Sequence, residues 1–334
     1  MRISLRTLFQ VILLAPCLAR GQDPQLTQSF AAPMYLNPAL TGNTQQDRIV
    51  ANYRNQWSSA VVNAFQTYAC SYDHRAAKLN SGFGLMAMRD RAGVNGLSFT
   101  QVSFNYSYEA RINRKSAFRA GLRMAYTNRG LDPNNTLFAD QVIRDNAPTS
   151  IEARMVERVN YFDVGIGGMY YNERFWAGIS ASHLNRPQQS LFTDGDARLP
   201  VRTSVHSGYR FPLDNQRMMY SHTIGTFAAL YKTQDKWDQF DIGFYVDHEQ
   251  LIGGIWYRGI PGLKAYQPGY PNSDAVSLMV GYDTPMQLRI VYSYDVTVSM
   301  LTMASGGAHE ISLTYEWPRK VKSRKHKIVP CPKF

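Results

Sequence analysis

The stretch Ala308-His309-Glu310-Ile311-Ser312-Leu313-Thr314-Tyr315-Glu316-Trp317 alternates polar and apolar side chains over a full membrane-crossing length. In an extended chain, successive side chains point to opposite sides. Glu310, Ser312, Thr314 and Glu316 therefore share one face, and Ile311, Leu313, Tyr315 and Trp317 share the other. A strand standing between lipid and a polar interior needs this division. The period recurs along most of the chain. Phe240, Ile242, Phe244 and Val246 oppose Asp241, Gly243, Tyr245 and Asp247, and Leu288, Ile290, Tyr292 and Tyr294 oppose Arg289, Ser293 and Asp295. Phe118, Ala120, Leu122, Met124 and Tyr126 oppose Arg119 and Arg123. A Lys or Arg on the lipid face near the midplane costs about 2 to 4 kcal/mol. Arg119, Arg123, Asp241, Asp247 and Arg289 are accordingly predicted to face the interior, where pairing with one another is the expected role.

Period-2 segments bounded by turn residues begin near residues 48, 65, 81, 97, 116, 158, 174, 200, 221, 236, 251, 274, 287 and 308. An even number of strands suits a single-chain barrel of the bacterial outer membrane, with short turns on the periplasmic side and longer loops outside. Asn113 to Lys115, Asn172 to Arg174, Asp247 to Gln250 and Asp283 to Met286 are the expected short turns. Arg129 to Glu157, Asn185 to Leu199, Pro261 to Ser273 and Thr297 to Gly307 are the expected external loops. Two connections break the parity: Phe211 to Tyr220 is long for a turn and Thr233 to Lys236 short for a loop. Tyr, at 21 residues, outnumbers Phe at 16 and Trp at 5 taken singly, as expected of rings whose polar tips sit among headgroups. The predicted fold is all-β: a transmembrane antiparallel up-and-down barrel of about fourteen strands over residues 48–317.

Three segments fall outside that pattern. Arg2 and Arg6, an apolar run from Leu8 to Leu18 and the small-x-small site Ala19-Arg20-Gly21 predict a secretory signal peptide over residues 1–21. Leu14-Ala15-Pro16-Cys17 resembles a lipoprotein box, but Pro16 stands where a small residue is needed, so lipidation is not expected. The segment 22–47 does not alternate and carries Asp23-Pro24, Ala32-Pro33 and Asn37-Pro38. Proline is unsuited to a helix interior or a central strand. This segment is predicted to be a periplasmic arm, a plug or a binding peptide. The third is a basic tail, 318–334, with Arg319, Lys320, Lys322, Arg324, Lys325 and Lys327.

After the signal no stretch approaches the roughly 20 apolar residues a membrane helix needs, leaving a closed barrel as the way to span. The formal charge of +11 invites a nucleic-acid reading until its distribution is seen. Of 36 basic residues, three lie in the signal and seven after Trp317, leaving 26 against 25 acidic residues in the body. A nearly neutral exported body makes nucleic acid an unexpected partner. The tail suits anionic headgroups, a polyanionic wall polymer, an acidic protein or plain solvation. Cys70 and Cys331 compose no disulfide framework or metal cluster.

Catalytic patterns are missing. The seven histidines show no metal-ligand spacing. Asp247-His248 is the best adjacent acid-base pair, yet it lacks a nucleophile motif, since Ser182 stands where Gly178-Ile179-Ser180-Ala181-Ser182 would need glycine. Gly165, Gly167 and Gly168 sit inside a strand pattern and mark close packing or curvature. No active site and no cofactor are expected. A barrel hydrolase ranks below an outer-membrane porin for small-solute uptake as an alternative function.

Particular residues carry a resemblance. Gln22-Asp23-Pro24-Gln25 with Tyr35-Leu36-Asn37-Pro38-Ala39-Leu40-Thr41-Gly42, then Asn52-Tyr53-Arg54-Asn55-Gln56-Trp57 and Ser71-Tyr72-Asp73, resemble the opening of the PorP/SprF family. Met88-Arg89-Asp90-Arg91-Ala92-Gly93 and Gly208-Tyr209-Arg210-Phe211 are similar to its internal landmarks. Tyr292-Ser293-Tyr294-Asp295 and Gly307-Ala308-His309-Glu310-Ile311-Ser312-Leu313 resemble its closing hairpin. The resemblance implies a non-catalytic outer-membrane component of the type IX secretion system of the Bacteroidota, serving protein export and, in gliding members, adhesin display. It implies periplasmic or lipoprotein partners linking the barrel to peptidoglycan, or one large exported cargo protein. Asn37, Pro38, Thr41, Gly42, Tyr53, Arg54, Gln56, Trp57, Asp90, Asp295, His309 and Glu310 become the family-motif and partner-contact candidates. In that reading the arm and tail face periplasmic proteins, and the Arg129 to Glu157 loop faces cargo.

Overall fold

The computed structural model describes residues 23–57, 65–93, 97–131, 143, 158–191, 195–214, 221–235, 237–259, 273–298 and 306–317. The signal segment, the basic tail, Cys331 and nearly all of the Arg129 to Glu157 loop lie outside these residues.

The strands are β1 (Asp47–Gln56), β2 (Phe65–Ala76), β3 (Ser81–Ala92), β4 (Leu97–Arg111), β5 (Ser116–Gly130), β6 (Val159–Asn172) and β7 (Phe175–Ser182). They continue as β8 (Arg202–Pro212), β9 (Thr223–Gln234), β10 (Trp237–His248), β11 (Leu251–Gly259), β12 (Ser273–Asp283), β13 (Leu288–Thr297) and β14 (Ala308–Glu316). Each pairs with its neighbour in sequence, and β1 pairs with β14, closing one antiparallel barrel. No strand begins more than two residues from where the period-2 pattern places it.

Closure is antiparallel from Arg48 opposite Glu316 to Gln56 opposite Ala308, which removes the two sheet edges that lipid could not satisfy. The polar phase turns inward. Asn105, Glu109, Arg119, Arg123 and Asp163 are buried, whereas Leu85, Val102, Phe104, Ile242, Leu278 and Val280 are exposed on the outer surface. That inversion of the water-soluble pattern defines a protein whose outer solvent is lipid. Among the described residues no helix is long and apolar enough to cross a membrane.

At the barrel end that holds Asp47 and Glu316, the connections are tight apart from 213–222 between β8 and β9. Asn113 Oδ1 accepts from the N–H groups of Lys115 and Ser116, both at 2.8 Å. Asn172 does the same for Arg174 and Phe175, at 2.9 and 2.8 Å. Such asparagine turns fold the chain back within a few residues. The opposite end carries longer connections, among them 183–201 between β7 and β8. By the architecture of this barrel class, the short-turn end faces the periplasm.

Candidate functional site

Inside the barrel lies residues 23–46, in short turns: a 3-10 turn Ser29–Ala31, one helical turn Pro33–Leu36 and a second 3-10 turn Pro38–Leu40. Prolines 33 and 38 open the last two, a position where the missing N–H costs nothing. The segment runs from the external half of the lumen to its periplasmic end and is bonded to the wall throughout.

At the external end, the Asp23 carboxylate meets His183 Nε2 at 2.7 Å and Arg202 at 2.8 Å. The other ring nitrogen of His183 meets Asp163 at 3.0 Å, and Arg123 lies 3.3 Å from Asp163. A ring with a carboxylate at each nitrogen is held as the imidazolium. Burial pushes the Asp23 carboxyl up, but His183 and Arg202 outweigh it and leave the pKa well below the ordinary value. Burial likewise works against the His183 charge, and Asp23 with Asp163 outweighs it, so that pKa ends raised. Arg202 also stacks over the Tyr35 ring, 4.6 Å from its centroid, and donates to its hydroxyl at 2.8 Å. Burial nonetheless dominates there and pushes the Tyr35 hydroxyl up to about 12.

Next along the arm, Glu310 accepts the backbone N–H groups of Thr27 at 2.7 Å and Gln28 at 3.0 Å. Arg54 bridges Glu310 at 3.1 Å and Asp295 at 2.8 Å, and Arg258 joins Asp295 at 2.6 Å. The Thr27 hydroxyl donates to Asp295 at 2.7 Å, and the Gln28 amide donates to Ser293 at 3.0 Å. Two carboxylates are thereby balanced by two guanidiniums in a buried knot, which makes them tolerable away from water.

At mid-depth, Phe30 stacks on Tyr245 and Trp256, with ring centroids 5.9 and 6.5 Å apart. Asn37 is fully buried; its Nδ2 donates to the carbonyls of Gly168 and Ile179, both at 3.2 Å, and lies 3.0 Å from His206 Nε2. Its Oδ1 accepts from the Ala39 N–H at 2.9 Å. Pro38 and Ala39 press against β5 so closely that a Cβ on Gly121 would lie 2.2 Å from the Ala39 nitrogen. At Gly167 it would lie 2.0 Å from Asn37 Oδ1. At the periplasmic end, the Thr41 carbonyl accepts from Ser107 at 2.7 Å and Arg119 at 2.8 Å, and the Gly42 N–H donates to Asp73 at 2.7 Å.

The structure thus gathers Asn37, Pro38, Thr41, Gly42, Arg54, Asp295 and Glu310 with Arg119 along one luminal path, and Arg123 beside its start. Asp90 also points inward and accepts from Thr67 at 2.6 Å. Gln56 lies 3.4 Å from Arg54, and Trp57 closes the β1–β14 end by donating to the Gly307 carbonyl at 2.8 Å. Asp241 faces Lys232 at 3.9 Å. Asp247 faces Arg210 at 3.8 Å, and Arg289 pairs with Asp283 at 2.7 Å. Tyr53 and His309 are not part of this set. They occupy the opposite strand phase and pack outward, Tyr53 against Tyr68 and His309 against Tyr294.

One expectation needs correction, and one pair already set aside can be placed. The arm does not project toward periplasmic proteins; its polar backbone, broken by prolines, finds its partners on the luminal wall. Asp247 and His248 do not form a pair, because adjacent strand residues face opposite ways: His248 bonds Thr223 at 2.7 Å while Asp247 faces Arg210. Asp23, Thr27, Gln28, His183 and Arg202 were missed as site residues. The arm's lack of alternation was the available signal, but nothing in it says which wall residues receive it. Among the described residues no group of His, Cys, Asp or Glu is arranged to hold a metal.

A closed antiparallel barrel with an apolar outer surface and a polar interior occupied by its own N-terminal segment is an integral protein of the outer-membrane type. Similar folds occur in the monoaromatic hydrocarbon channel CymD, at 13% identity over 87% of this chain and 94% of that one, TM-score 0.47. They occur also in a FadL homologue of Pseudomonas aeruginosa, at 12% identity over 90% of this chain and 100% of that one, TM-score 0.46. The P. putida toluene transporter TodX matches at 11% identity over 85% and 93%, TM-score 0.42. No curated protein matches the chain. The chain belongs to the PorP/SprF family, described as type IX secretion system membrane proteins, whose sequence model matches residues 18–315.

Proposed function

We propose that this barrel serves type IX secretion as a non-catalytic anchor, partnering the secretion machinery or an exported cargo or adhesin, and is not a solute pore. The observation that supports this reading is the luminal arm, tied at its external end by Asp23, in its upper half by Glu310 and at its periplasmic end by Asp73. A lumen crossed by three such anchors suits a rigid fixture in lipid. The partners this implies are periplasmic or lipoprotein components of the machinery, a peptidoglycan-binding protein or a large exported protein. With the arm inside, the docking surfaces are the rims, the external loops and the basic tail beyond Trp317.

The test is a truncation ending at Glu316–Trp317, scored by co-purification of secretion components and by export. Lost co-purification with the barrel still in the outer membrane supports tail docking, and full recovery removes the tail from the mechanism. An uptake porin predicts instead steady conductance in planar bilayers and impaired solute uptake with secretion intact on deletion.

A further inference from the structure

On the outer surface, Ala51 pairs with Cys70 and Cys70 with Ala87, so three small side chains lie side by side across β1, β2 and β3. Farther round the barrel the same transverse row continues through Val102, Tyr126 and Phe162, all large and exposed. The small residues leave a groove of about 440 Å³, walled by Ile311 and Leu313 on one side and by Tyr53 and Tyr68 toward the external end. The two tyrosine rings pack at 4.9 Å. That volume falls within the roughly 300 to 1,000 Å³ of small-ligand pockets, and its apolar lining suits a hydrocarbon chain.

Arg89 lines the same groove and stands one row nearer the external end, opposite Tyr68 and Thr100. It is exposed, as is Arg91, the next outward residue of β3. Among the described residues neither guanidinium has a carboxylate within ion-pairing distance. A cation above an apolar trough, toward the external end of the strands, complements an amphiphile with an anionic head and acyl tails. A planar guanidinium grips a phosphate in two places, which an ammonium cannot do. At the other rim of these strands, the outward strand positions carry Tyr72, Tyr315 and Trp317, and Lys78 in the β2–β3 turn supplies an ammonium there rather than a guanidinium.

We propose that this groove binds a phosphorylated glycolipid of the lipid A type from the outer leaflet, one acyl chain lying over Ala51, Cys70 and Ala87 and a phosphate on Arg89. Purified full-length protein is titrated with diphosphoryl lipid A, and in a parallel arm with phosphatidylglycerol, and bound lipid is read by native mass spectrometry. Arg89→Gln and Cys70→Phe should each lower the lipid A-bound fraction by about tenfold, the scale of one lost charge-assisted contact or one blocked chain. Arg114→Gln, a cation in a turn at the opposite rim, should leave it unchanged. Heat-modifiable electrophoresis checks that each variant keeps its barrel. Undiminished lipid A binding by folded Cys70→Phe, or equal loss in Arg114→Gln, overturns the site. Phosphatidylglycerol binding as strongly as lipid A overturns the outer-leaflet assignment.

Discussion

Glu310 holds the backbone N–H of Thr27 at 2.7 Å, across 283 positions of sequence. Glu310 lies directly opposite Arg54 in the β1–β14 pairing that closes the barrel. The anchor for the arm therefore exists only once the first and last strands have met. Closure of the wall and docking of the arm are one event at this point.

Replacing Glu310 by Ala leaves the Thr27 and Gln28 N–H groups without acceptors and Arg54 with one carboxylate instead of two. Breaking one side of a buried ionic group costs about 3 to 5 kcal/mol. The folded form should convert to the unfolded one at a lower temperature in heat-modifiable electrophoresis. Protease should also cut within residues 23–46 more readily than in the native protein. The double change Arg54→Met with Glu310→Met, leaving Asp295 with Arg258, should lose less stability than Glu310→Ala.

Gly121→Ala places a Cβ where the Ala39 nitrogen already lies. Overpacking of this kind costs about 1 to 3 kcal/mol, and the arm can yield more readily than the wall. Planar-bilayer recordings at one pH should show more open events in Gly121→Ala than in the native protein. Equal, near-zero conductance in both would mean that the arm stays seated and the wall has adjusted instead.

The Asp23–His183 contact makes the external end of the arm sensitive to pH. The His183 pKa is raised above 6.5, so its contribution is complete below 6.5 and is lost as pH rises through the folded value. The Asp23 pKa is lowered from 3.8, so its contribution is complete above 3.8 and is lost as pH falls through the folded value. Docking should be firmest between these two ordinary values and weaken on either side. Open events in bilayers should rise as pH climbs through the raised His183 pKa. His183→Gln should abolish that alkaline step.

Leu85 and Val102 lie on the lipid-facing surface, both more than half exposed. Leu85→Arg should cost about 2 to 4 kcal/mol when unfolding by denaturant is measured in liposomes. The same charge at inward Met86, next along β3, meets a polar lumen and disturbs packing without the lipid penalty. A smaller loss at Leu85 than at Met86 would contradict the assigned faces.

The wall was legible because its code is local. A period of two over eight or more residues specifies a strand, its inward face and, with short asparagine turns, its direction. Even the two parity-breaking connections recur, with β8 and β9 joined through 213–222 and β9 and β10 through 235–236. Arg119, Arg123, Asp241, Asp247 and Arg289 could be assigned inward from phase alone. Tyr53 and His309 show the limit of motif reasoning: neighbours of Arg54 and Glu310 in sequence, they belong to the lipid-facing surface because each is one residue out of phase.

Sequence by itself determined the barrel, where its strands begin to within two residues, and the family, since all three rest on patterns repeated within short windows or on matching residues. Tertiary structure alone decided that the arm occupies the lumen and that Asn37 reaches Gly168 while Thr27 reaches Glu310. A segment made of turns has no periodicity to declare its surroundings. Its backbone polar groups must find partners, and only the closed wall, with Asp73, His183, Arg202 and Glu310 held at set heights, determines where they are.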